Sequence, residues 1–217
     1  MDTNLKYELI EAPDPPTPGM KRIRALRDIP SISVKASDVG GWVGRPGNLA
    51  QDGDCWVYDN AQVYDNAQVF GDALVSGDAK VFGNAMVYSS AQVSGSAQVC
   101  GGAEVFGNAR VSDYARVCGD ALVFGDARVS DYARVFGDAR VYGGARVSGR
   151  AQVYGHARVS GDARVSGNTV IDGGQPSKPA SRQPKPMAMP ARAKTSPASN
   201  VGSFAPKIGS DQGDVLR

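Results

Sequence analysis

The chain has 217 residues, a formal net charge of +2 and 21% charged residues, a size that suits one or two domains. Three cysteines are too few for a disulfide scaffold and suit a reducing, cytoplasmic setting, and no apolar run approaches the ~18 residues of a membrane span. The first sixteen residues are acidic and proline-rich without an apolar stretch, so they do not read as a secretory signal.

Residues 1–50 read as a capping segment. Tyr7-Glu8-Leu9-Ile10 and Lys21-Arg22-Ile23-Arg24-Ala25-Leu26 predict two short strands joined by a proline-rich loop. Trp42 and Trp56 are expected to plug whatever follows, because an open sheet end templates aggregation and terminal repeats need a cap.

From residue 51 to 174 the sequence keeps a strict beat. Valine recurs every six residues from Val57 to Val165, with Ile171 next, and alanine precedes each by two from Ala61 to Ala163, with Thr169 closing the series. Alanine and valine two apart share one face of a strand, while the residues between and after them face the other way. Gly-Asp, Gly-Asn, Asp-Asn or Asp-Tyr then interrupts, and these are turn pairs that tolerate positive φ. An apolar pair every six residues does not fit a helix, and strands that all carry the same pattern do not fit hairpins. Short strands turning repeatedly the same way make a coil, and stacked coils make a parallel β-helix. All 13 prolines fall outside this stretch, as a continuous ladder requires.

The outward residues set the size of the coil. Serine follows valine at 76, 94, 112, 130, 148 and 166, and an aromatic does so at 70, 88, 106, 124 and 142. A second column runs Tyr64, Phe82, Cys100, Cys118, Phe136, Tyr154. Each column repeats by 18, or three sixes. The expected fold is therefore all-β: a three-sided parallel β-helix with 18 residues per coil, about six and a half coils and ~30 Å long. Cys100 and Cys118 should be neighbours on adjacent coils, as free thiols that oxidants can cross-link. Residues 175–217, rich in Pro, Ser, Ala and Lys with seven basic and two acidic residues, read as a disordered tail. The slight excess of positive charge belongs to that tail, which speaks against nucleic acid as a partner of the body. No membrane partner is expected either.

The Val-x-Gly-Asp-Ala-x units resemble the hexapeptide repeat of left-handed parallel β-helix proteins. The left hand is implied by that resemblance, since general crossover rules favour the right hand. Many such proteins are homotrimers and many are acyltransferases using acyl-CoA or acyl carrier protein. The stretches Val34-Lys35-Ala36, Gly40-Gly41-Trp42-Val43, Asn48-Leu49-Ala50-Gln51 and Gly53-Asp54-Cys55-Trp56-Val57-Tyr58 look like a bacterial and prophage-borne group with a short cap and a long regular helix, often described as acyltransferases. The motif speaks for the fold more than for the chemistry.

Three sets of residues are candidates for function. His156, the one histidine, is the catalytic candidate: under the acyltransferase reading it would be the general base, with acyl-CoA bound between subunits, and otherwise it is a solvated corner residue. One histidine cannot supply the three that zinc takes in carbonic anhydrases of this fold, so neither a metal nor, outside the acyltransferase reading, a cofactor is expected. Arg110, Arg128, Arg146 and Arg164 with Ser112, Ser130, Ser148 and Ser166 form a strip that could bind an anion or a glycan; Asp126 beside Arg128 and Asp162 beside Arg164 could neutralise it locally. Phe70, Tyr88, Phe106, Phe124 and Tyr142 form an outward row that reads as an interface between copies, a trimer by resemblance. The expected role is a rigid, self-associating binding or structural module in a phage or prophage setting; an acyl-CoA-dependent acyltransferase and an anion or glycan binder are the alternatives.

Overall fold

The computed structural model describes residues 5–174; the expectations for the tail fall outside that range. The strands β1 (Tyr7–Ile10), β2 (Lys21–Ala25) and β3 (Val39–Val43) precede a series of two- or three-residue strands from Trp56–Val57 to Val170–Asp172. No α-helix occurs among the described residues, and none of the described residues form a helix long and apolar enough to cross a membrane.

The repeats make three parallel sheets. The first face has seven strands, from Trp56–Val57 to Arg164–Val165, and the third has six, from Gln68–Val69 to Arg158–Val159. The second face has ten, because β1, β2 and β3 extend the stack that ends on Val170–Asp172. Every pairing in the coils joins a residue to the one eighteen further on: Val93 with Val111, Val99 with Val117, Val105 with Val123. The Arg110 amide donates to Ala127 O at 2.9 Å and the Ser112 amide to Val129 O at 2.9 Å, and the same step recurs along each face. The 18-residue coil expected from the outward columns is what the register shows.

The Ala/Val rows close a dry interior. From Ala61 to Val153 every repeat alanine and valine is at most 1% exposed. In a close-packed interior this narrow a larger inward side chain would be felt by its neighbours, in keeping with inward positions that alternate between these two residues. Corners turn through a left-handed residue. Gly125 has φ +70°, and a Cβ there would lie 3.1 Å from the Gly143 amide nitrogen of the next coil. Asp131 takes the same conformation at φ 58°, and its carboxylate recovers the cost by accepting from the Gly149 amide at 2.8 Å.

Residues before the repeats cover the N-terminal end. β1 and β2 pair antiparallel, β2 pairs antiparallel with β3, and β3 runs parallel to the first strand of the second face through Trp42↔Gln62 and Val43↔Val63. Trp56 is 1% exposed and meets the Tyr7 ring edge to face, while the Arg22 guanidinium lies 4.4 Å from the centre of Trp42. Lys6 is wholly buried. Its ammonium donates to the carbonyls of Cys55 at 2.9 Å and of Asp52 and Gly53 at 3.2 Å, and lies 3.1 Å from Cys55 Sγ. A buried cation of this kind is tolerable only because backbone dipoles surround it, and nothing in the six-residue beat announces it. At the opposite end the described coils finish on Val170–Asp172 with Val170 54% exposed.

One expectation is corrected. Cys100 and Cys118 are stacked neighbours with Cα atoms 4.6 Å apart, as the register requires, but they are joined by a disulfide rather than free. Consecutive coils bring the two positions into the range that the bond permits. Cys55 is the free cysteine of the described residues and is buried. Alkylation of the unfolded, unreduced protein should therefore label Cys55 alone, and reduction should expose Cys100 and Cys118 as well. Labelling of all three without reductant, read by peptide mass spectrometry, would restore the free-thiol reading.

Candidate functional site

The arginines of the first face stack in register. Arg110 pairs with Arg128, Arg128 with Arg146 and Arg146 with Arg164, all four exposed. Ser112, Ser130 and Ser148 lie half-buried beside them and Ser166 is exposed. Gln92, Ser94, Arg110, Ser112, Arg128 and Ser130 line a shallow groove of about 380 Å³. Among the described residues the ion pairs are Lys21–Glu11, Arg24–Glu8 and Lys35–Asp28, and His156 contacts Asp138. None involves a repeat arginine. The expected neutralisation of Arg128 by Asp126 and of Arg164 by Asp162 is therefore not formed. Corner and flat face diverge: Asp126 turns along the axis and accepts from Asn108 Nδ2 at 3.0 Å, while Arg128 projects from the sheet.

Five further arginines accompany these four. Arg116 and Arg134 stack on the second face, Arg140 and Arg158 on the third, and Arg150 sits at a corner. The sequence carried a signal for them, since all nine repeat arginines lie after residue 105. What singles out particular ones is the edge they flank. In this half the second corner position is Asp120, Asp138 and His156 on the edge between second and third faces. It is Asn108, Asp126, Gly144 and Asp162 between third and first, and Tyr114, Tyr132, Arg150 and Asn168 between first and second.

The aromatic row forms a continuous ladder. Phe70, Tyr88, Phe106, Phe124 and Tyr142 stack with ring centres 4.8–5.0 Å apart and planes within 6° of parallel. All five are half-buried. Much of the apolar surface on which the expected interface between copies rests is covered by neighbouring rings, each such pair contributing about 0.5–1.5 kcal/mol beyond simple burial. The second face behaves alike: Tyr64 stacks on Phe82 and Phe136 on Tyr154, on either side of the disulfide. Within the first ladder Tyr88 Oη donates to Glu104 Oε2 at 2.9 Å.

His156 is exposed at its corner, with Nδ1 3.2 Å from Asp138 Oδ2 one coil earlier. It lies apart from the arginine groove and from the aromatic ladder. The coil turns there as it does elsewhere, through Gly155 at φ +64°, so no excursion of the chain builds walls around the imidazole. The position offers a base no enclosure in which to hold an acceptor hydroxyl or an acyl donor.

Burial first, and the Glu104 hydrogen bond second, push the Tyr88 phenol up from 10.0 to about 12; burial does the same to Tyr7, also to about 12. A phenol whose pKa is raised by folding stabilises the fold while it is protonated. That contribution is complete below the ordinary phenol value and is lost as the pH rises through the folded one. Thermal stability should therefore hold up to about pH 10 and fall between about 10 and 12. Tyr88→Phe should flatten part of that fall. An identical alkaline slope in the variant would show that Tyr88 ionises as freely in the fold as out of it.

Comparison with known families returns the YdcK beta solenoid repeat, whose model matches residues 61–77, 79–95, 115–131, 133–149, 151–167 and 157–173. Segments starting at 61 and 79, and at 115, 133 and 151, are 18 residues apart, so one matched repeat is one three-sided coil. The stretch between 95 and 115, which holds Cys100 and the pair Gly101-Gly102, is not matched. No curated protein matches the chain. The stacked parallel coils and the repeat match together make this chain a β-solenoid repeat protein, with coils similar to the YdcK beta solenoid repeat.

Proposed function

We propose that the chain is a rigid, non-catalytic binding module that presents the arginines of its first face to an anionic partner. The observation that carries this reading is the in-register stack Arg110, Arg128, Arg146, Arg164 without a carboxylate partner among the described residues. Like charges placed directly opposite one another across strands destabilise a sheet. An anion lying along the stack removes that repulsion and gains charge-assisted hydrogen bonds. The serine hydroxyls beside the arginines supply neutral donors and acceptors. A phage or prophage setting and an acyl-transfer reaction rest on the resemblance alone, and the open corner of His156 adds nothing to the second.

Self-association is a second reading, favoured by the length of the aromatic ladder. Stacking leaves the ring edges outward along five coils, with Met86 and Leu122 half-buried on the same face. Three copies in a closed ring would lay each ladder against a neighbour without leaving a sticky end. This is compatible with anion binding, because the ladder and the arginine stack occupy different columns.

Inorganic polyphosphate is a suitable probe for the first reading. Calorimetry at low ionic strength should show binding that weakens with added salt, and Arg128→Gln with Arg146→Gln should lower affinity about tenfold or more. Binding that ignores both salt and the double substitution would overturn the assignment. For self-association, light scattering at micromolar concentration should report a trimer that Phe106→Asp with Phe124→Asp dissociates without unfolding. A monomeric parent protein, or a folded double variant with an unchanged mass, would remove the aromatic interface.

A further inference from the structure

The edge between the first and second faces differs from the other two. Its corner residues in the C-terminal half are Tyr114, Tyr132 and Arg150, where the other edges carry Asp120 and Asp138, or Asp126 and Asp162. It has aspartates of its own, but they are engaged. Asp113 Oδ2 accepts from the Ser112 hydroxyl at 2.9 Å and the Asp131 amide at 3.2 Å, and Asp131 Oδ2 accepts from the Gly149 amide at 2.8 Å. These carboxylates are tied along the axis to the next coil. Both carboxylates stay exposed, but each has one oxygen held in that way, and the unengaged groups beside them are aromatic, cationic and neutral polar.

Tyr114 and Tyr132 are each 56% exposed, against the half-buried rings of the long ladder. They stack on one another at 5.0 Å and 3°, and the position one coil further is Arg150 rather than a third ring. A recess of about 350 Å³ lies there, lined by Tyr132, Arg134, Arg150 and Gln152. On the other side of the tyrosines lies the groove of Arg110, Arg128 and their serines. Two recesses thus flank one aromatic ridge, both carry arginine, and the band spans three coils, ~14 Å.

We propose that this edge binds a linear carboxylated polysaccharide, with a uronate-type sugar seated in the recess beyond Tyr132. The proposal deepens the reading of the module as an anion binder and rests on it. The chemistry matches group by group. Arg134 and Arg150 take the sugar carboxylate, as guanidinium groups do through paired donors. Tyr132 offers an apolar ring to the C–H face of the sugar, and the phenol tip remains free for water or a hydroxyl. Gln152 and the serines of the first face both donate to and accept from ring hydroxyls.

A nucleic acid fits less well. Single strands bind through successive open ring faces on which bases stack, and here Tyr114 and Tyr132 occupy each other's inner faces. The body is also net negative, with fourteen acidic and ten basic residues between 51 and 174, 10 − 14 = −4. A ligand wide enough to reach past this edge meets the aspartates of the neighbouring ones.

The test uses the full chain and three probes in calorimetry: a short oligogalacturonate, its carboxyl-reduced neutral counterpart, and inorganic polyphosphate. The expected result is binding of the oligogalacturonate and none of the neutral sugar. Tyr132→Ala and Arg134→Gln should each weaken oligogalacturonate binding about tenfold, while Tyr132→Ala leaves polyphosphate binding unchanged. Arg140→Gln, on the third face, should leave oligogalacturonate binding as it was. All these residues are exposed, and circular dichroism verifies that each variant keeps its fold. Polyphosphate binding without oligogalacturonate binding would overturn this inference and leave the anion-binding module standing; binding of neither would overturn both. An undiminished affinity in Tyr132→Ala, or an oligonucleotide that binds more tightly than the sugar acid and depends on Tyr132, would also sink it.

Discussion

The hydrogen-bonded step from one coil to the next governs this protein. Each outward-facing residue donates its amide to a carbonyl seventeen positions later, as Arg110 does to Ala127 and Phe106 to Val123. The ladder is satisfied only when every coil has the same length, because one extra residue would turn the alanine and valine of all later strands outward. The dry core enforces the same rule. With Ala and Val at 0% exposure through most of the stack, a coil that slipped would put a charge or a ring where only a methyl or isopropyl group fits.

A strict register makes like stand on like, and the outward chemistry follows from that. Rings stack into ladders, which is favourable. Cysteines at 100 and 118 meet and bond. Arginines also meet, which is unfavourable, and yet the chain places four in one column and two in each of two others. A fold in which repulsion is so easily avoided by alternating residues, as the Gln62, Lys80, Gln98 column does, retains stacked cations at a cost to stability. Features retained at such a cost are where binding is sought first. The corners show a complementary pattern: aspartates at 59, 65, 113 and 131 accept an amide of the next coil, so their carboxylates are tied along the axis.

The two ends of the solenoid are unlike. At the start, antiparallel strands, Trp56, Tyr7 and the buried Lys6 ammonium close the first coil with polar and apolar contacts that no repeat could supply. The outermost strand there, β1, runs antiparallel to its neighbour, so this end does not present a parallel coil for another copy to continue. The tyrosine and arginine edge lies far along the rod from this cap, on coils that are rigid because each is held from both sides.

Much of this was legible in the sequence, for a physical reason. A repeat whose every unit makes the same contacts writes its tertiary structure into its period: six residues give a side, eighteen give a coil, and the columns of Ser, Arg and aromatic residues give the faces. The stacking partners of Phe124 or Arg128 could be named before any coordinates because they lie one coil away. What the sequence left undecided depends on the direction and reach of side chains. Asp126 turns along the axis to Asn108 rather than across to Arg128, two stacked tyrosines stay exposed while five other rings are half-buried, and Cys100 and Cys118 are bonded. The cap was also beyond sequence reasoning in detail. No pattern in the sequence points to Lys6, and only the tertiary structure, by carrying its ammonium to carbonyls some fifty residues away in the chain, makes it the peg between the cap and the first coil.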